Sequence, residues 1–168
     1  MNDGTPLLKH FLAALAYRTQ KALRGCGASY PSFRAAPDVR TPHELLNHMD
    51  SVLGYARTFF VGGTYRVPPL PEFEAEIRRF HETLADLSRL VGEEKDWKAI
   101  TPRQLLQGPL SDAMTHAGQL ALLRRLSGDP VPPENFIFAE VSDANLGPDQ
   151  PLPAAPDPVW PERPRGGA

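Results

Sequence analysis

The stretch Ser111–Gly128, SDAMTHAGQLALLRRLSG, decides how this sequence folds. Ala113, Leu120 and Leu123 recur at helical spacing, and Asp112 and His116 lie four residues apart, so one helix carries both polar groups within its apolar stripe. An ionisable pair in such a stripe is costly unless something pairs or coordinates it. The stretch therefore predicts neighbouring helices that cover the stripe, and a group on one of them that meets Asp112 and His116.

The neighbours are legible. Leu8, Phe11, Leu12, Leu15, Thr19, Ala22 and Leu23 predict a first helix from about residue 6 to residue 24, stopped by Arg24-Gly25-Cys26-Gly27. A second opens at RTPHELL, with Thr41 as cap, Pro42 at the first helical position and Glu44 completing a capping box, and ends at Gly62-Gly63. A third, over 71–91, places Phe73, Ile77, Phe80, Leu84, Leu87 and Val91 on one stripe and charge on the other side. Thr101-Pro102 starts a short turn, TPRQLLQ, and Gly108-Pro109 breaks or kinks the chain before the last helix. Four amphipathic helices on short to medium links predict an all-α four-helix bundle over residues 1–128.

From Gly128 onward the pattern changes, because ten of the 41 remaining residues are proline and no helical period survives. Only NFIFAEV, residues 135–141, suggests a short strand. Phe136, Phe138, Leu152 and Trp160 are apolar anchors at wide spacing, so residues 129–168 are expected to drape over the bundle as an extended tail, with the last residues, PRGGA, loose.

Composition narrows the function. With 168 residues and 41% apolar content, the chain is one domain long and has material for a core. Its formal charge is −2 and its basic residues come as scattered pairs, which argues against a nucleic-acid partner. The first twenty residues lack the pattern of a signal peptide, and no stretch approaches the roughly 18–20 apolar residues of a membrane span, so a soluble cytoplasmic protein is expected. Cys26 is the single cysteine, which rules out an intrachain disulfide and fits a reducing compartment; no base near it in sequence would activate its thiol.

Five histidines remain as carriers of chemistry. His10 and His43 fall on polar sides of their helices, and His81 sits at the edge of an apolar stripe. His48 is different: it borders the apolar face of the second helix with Val52, Tyr55 and Phe59, and Glu44 stands one turn before it as Asp112 stands before His116. Facing helices of a bundle commonly build metal sites in this way. Taken one at a time, spacing favours a hydrogen-bonded core role for each histidine over a ligand role.

The segments NHMDSVLGYA and DAMTHAGQLALLRRLSG resemble those of the DinB/YfiT-like superfamily of metalloenzymes over residues 5–128. The resemblance implies an up-down-down-up bundle that binds a divalent metal through three histidines, one in the second helix and two, four apart, in the last. His48 matches the first of these and His116, in HAGQ, the last; at the middle position this chain has Asp112. Two imidazoles and a carboxylate are an ordinary set for zinc, nickel, manganese or iron. The departure leaves two readings: an intact His48–Asp112–His116 site, or a degenerate one in which Asp112 only accepts a hydrogen bond from His116.

For an intact site the resemblance implies a small-molecule substrate and an open coordination position. It suggests either a metal-dependent hydrolase or a transferase that uses a low-molecular-weight thiol such as bacillithiol or mycothiol. Glu44 is then a candidate proton acceptor, outer partner of the ligands or substitute ligand, and Tyr55 a candidate hydrogen-bond donor, although the capping box is the favoured role for Glu44 and Tyr55 can instead fill a core. Gln119 borders the site. A homodimer is expected from the family and from the aromatic residues of YARTFF. The alternative function is a non-catalytic small-molecule-binding or stress-response protein using the same cavity.

Overall fold

The computed structural model describes residues 4–94 and 97–159. The expectations for Trp160 and for PRGGA lie outside the described residues. Helix α1 spans Thr5–Leu23, α2 Pro42–Val61, α3 Phe73–Glu93, the short α4 Pro102–Leu105 and α5 Ser111–Leu126. The fold is all-helical, and α1, α2, α3 and α5 make a four-helix bundle.

Local chemistry sets the helix ends. Thr41 Oγ1 accepts from the Glu44 N–H at 3.2 Å while Glu44 Oε2 accepts from the Thr41 N–H at 2.7 Å, so the capping box that opens α2 is complete. Thr101 and Gln104 repeat the device at α4. The chain then bends at Gly108, whose φ of −92° and ψ of −106° are non-helical, ahead of Pro109. α5 therefore starts on a new axis, with Leu110 and Ala113 directed into the core.

Contacts between helices fix their directions. Asn47 meets Glu76, Asp50 meets Arg79 and Arg57 meets Asp86, each pair 29 residues apart, so α2 and α3 run the same way. Gln20 meets His81 while Lys9 approaches Gly92, so α1 opposes α3. The start of α1 lies against Pro102 and its end is held by Arg124, making α1 and α5 parallel. α1 and α2 are diagonal and each packs on both α3 and α5. Leu12, Leu46, Leu53, Phe80, Leu87 and Leu120 are fully buried between them, and their burial, at about 25 cal/mol per Å² of apolar surface, is the main force holding the four helices together.

The segment after α5 is bound to α1 and α3 by specific polar contacts. Tyr17 donates to Glu134 at 2.6 Å and Lys21 pairs with the same carboxylate at 3.1 Å. The Phe136 ring meets Tyr17 edge-on and lies under the Arg18 guanidinium, 3.8 Å from its centroid. Arg24 reaches the carbonyls of Gln150 and Pro151. The strand expected over 135–141 is absent among the described residues. Asn135 instead caps Ile137, closing a 3-10 turn over Phe136–Phe138, and the only pairing nearby is an isolated bridge between Glu134 and Pro156. Proline supplies no N–H on either side of that bridge, so no ladder extends from it.

This segment also changes the standing of His81. Only 3% exposed, it lies beneath the tail, with its Nδ1 donating to the Leu146 carbonyl at 2.6 Å and its Nε2 against the Gln20 side chain. It is a buried histidine, not a boundary one. His43 likewise leaves solvent: its ring packs on Phe73 at 5.5 Å and its Nε2 stands 3.8 Å from Glu76. His10 stays exposed and meets Asp143 at 3.0 Å.

Candidate metal centre

His48 on α2 and Asp112 and His116 on α5 come together where these antiparallel helices face each other. Their ligating atoms all lie within 4.8 Å of one another, so the group could hold a metal ion. The two imidazoles meet edge to face with centroids 4.8 Å apart. His116 Nε2 is 3.4 Å from Asp112 Oδ1.

The state of His116 follows from its other nitrogen. Nδ1 is 2.7 Å from Gln119 Oε1, and an amide oxygen only accepts, so Nδ1 carries a proton and, in the neutral ring, Nε2 presents a lone pair. His116 is 8% exposed, and Nε2 is buried with no hydrogen-bond partner. In that neutral form a lone pair faces the Asp112 carboxylate across 3.4 Å, where a protonated ring would form an ion pair instead. Two acceptors at that distance repel unless a cation lies between them, and about 3.4 Å is also the spacing of ligand atoms in a tetrahedral site with bonds near 2.1 Å. The donor set fits a divalent cation on both grounds.

His48 completes the picture electrostatically. Burial pushes its pKa below the usual histidine value, Arg40 and His116 push in the same direction, and Asp112 opposes them. The ring is thus neutral at neutral pH, the form that ligates metals. Asp112 keeps half of its side chain in solvent, 51% exposed, so the site is open on one side.

That side is a cleft of about 700 Å³ lined by His48, Val52, Tyr55 and Asp112 and by Gln107, Gly108 and Pro109 of the kink. Tyr55 is 56% exposed: it fills no core, and its ring stands at the rim of this cleft against Phe59, 5.0 Å away. Glu44 lies on a second cleft that shares His48 and Ser51. Both of its oxygens are occupied, by Arg34 Nη2 at 3.1 Å and by the cap of α2. Its cap and Arg34 hold the carboxyl below the usual range, so it stays ionised.

Two features escape a reading of the sequence. Gln119 is visible as a neighbour of His116, but its hydrogen bond to His116 Nδ1, at 2.7 Å, is seen only in the folded chain. The second is a buried acid cluster on the α3 side of α2, where Asp50 and Glu76 share Arg79. Asn47 and the Leu70 N–H also donate to Glu76, and the Pro68 carbonyl accepts from Arg79. Burial lifts the Asp50 carboxyl to about 7 against the pull of Arg79. The signal that could have found it is the spacing of 29 residues that repeats between acids, amides and arginines of α2 and α3. Among the described residues no helix is long and apolar enough to cross a membrane. No family model, curated protein or solved structure matches this chain.

Proposed function

We propose that this chain is a metal-dependent enzyme of the DinB/YfiT type that holds a divalent ion, zinc, nickel, manganese or iron, between His48, Asp112 and His116 and acts on a small molecule in the adjoining cleft. The observation that carries the reading is the convergence of His48 from α2 with Asp112 and His116 from α5, whose ligating atoms all lie within 4.8 Å of one another beside an open cleft.

A bound divalent ion would supply Lewis acidity, which favours either hydrolysis of an ester or amide or transfer to a low-molecular-weight thiol. The chain's own residues do the rest. Gln119 holds the imidazole of His116 in the ligating tautomer, Val52 and Pro109 form a dry wall, and the Tyr55 ring borders the open side. Glu44 anchors Arg34 and the start of α2 at the edge of the neighbouring cleft.

Elemental analysis of protein purified without an affinity tag tests this directly. About one equivalent of a divalent metal is expected, lost in His48→Ala and in His116→Ala. Native protein that is metal-free and takes up no zinc, nickel, manganese or iron overturns the reading.

A further inference from the structure

Two clefts meet at His48, and they differ in character. The first is walled by Val52, Tyr55 and Pro109 and is mainly apolar. The second is walled by Arg34, Arg40, Asp38 and Glu44 and is charged. His48 and Ser51 line both, so a molecule lying over the metal-ligating group would reach into each.

The charged cleft contains two arginines in different states. Arg34 is spent: its guanidinium holds both oxygens of Glu44 and the Val39 carbonyl. Arg40 is exposed, makes no hydrogen bond or ion pair among the described residues, and lines the same cleft as His48. With Arg34 and Glu44 cancelling, a divalent ion and Arg40 face Asp112 and Asp38, which leaves one positive charge for a ligand to meet. A guanidinium with all its donors free matches an oxyanion bidentately.

We propose that the substrate is a small molecule with an apolar body and an oxyanion end, lying across His48 with the body against Val52, Tyr55 and Pro109 and the oxyanion against the Arg40 guanidinium. This rests on the metal-site reading above and extends it to the substrate class. Arg40 is a binding residue here, and the bond to be cleaved or attacked lies between the two ends, over the ligating group.

The test uses cobalt(II)-loaded protein and three probes of similar body: 3-phenylpropionate, phenyl phosphate and the neutral 3-phenylpropionamide. Calorimetry gives their affinities, and the visible absorption of cobalt reports whether each reaches the centre. One or both anions should bind at least about ten times more tightly than the amide, and the comparison of carboxylate with phosphate says which oxyanion the cleft takes. In Arg40→Gln, anion affinity should fall about 10- to 100-fold with amide affinity, cobalt stoichiometry and cobalt affinity unchanged. In Tyr55→Ala all three probes should weaken together. Equal binding of anions and amide, or unchanged anion affinity in Arg40→Gln with cobalt in place, overturns the substrate assignment and leaves the metal site standing. Failure of the wild type to take up cobalt overturns both.

Discussion

Residues 48 and 50 of α2 face different helices, and each enters a cluster of polar groups. Asp50 faces α3, where the Arg79 guanidinium sits between it and Glu76. His48 faces α5, where Asp112 and His116 wait and, among the described residues, no lysine or arginine is hydrogen-bonded to any of the three. Both clusters desolvate polar groups, and burial is paid for only by opposite charge or hydrogen bonds. One carries its own cation and is closed; the other lacks one and opens on a cleft. The difference separates a cluster that holds the bundle together from one that holds something else.

The largest effect expected from breaking this contrast is on the closed side. Arg79→Met strands two buried carboxylates and should cost about 3–5 kcal/mol of folding stability, measured by urea denaturation; a loss under about 1 kcal/mol would show that the cluster is not structural. On the open side, zinc at about 100 times its dissociation constant should stabilise the wild type by about 2.7 kcal/mol in thermal melts and leave His116→Ala unmoved. Gln119→Leu should lower metal affinity about 10- to 100-fold in a chelator competition, while Gln119→Glu, which keeps an acceptor for Nδ1, should retain most of it.

The last effect is read as a slope. The folded pKa of Asp50, about 7, lies above the ordinary 3.8, so between those values the folded chain keeps a proton that the unfolded chain has released. Stability from this group therefore falls as pH rises through that window, by at most about 1.4 kcal/mol per pH unit. Asp50→Asn should flatten the dependence. Denaturation at pH 4, 5.5 and 7 checks it, and an unchanged slope in the variant would assign the titration to another group.

The helices of the bundle were legible because leucine and alanine repeat at one period along each of them, and the caps at Thr41 and Thr101 are local motifs that read directly. His48 and His116 were legible for the same reason: a polar residue within an apolar stripe stands out. Asp50 and Glu76 did not, since a carboxylate facing inward is readable only once its partner on another helix is known, and that pairing depends on how α2 and α3 slide past each other. The tail resisted for a different reason. Its prolines erase any period, and its hold on the bundle runs through backbone carbonyls at Leu146, Gln150 and Pro151, which no side-chain pattern announces.

α5 has two working sides. It turns Asp112, Thr115 and His116 to the cleft, while Met114, Ala117, Gly118 and Ala121 line a groove that Val131, Pro132 and Pro133 help to form. The tail and the cleft share no side chain. Residues 129–159 can therefore lengthen, shorten or carry a fused partner without entering the place where chemistry is proposed. Such changes would register first as looser packing of α1 and α3, through Tyr17 and His81, and not at the metal-ligating group.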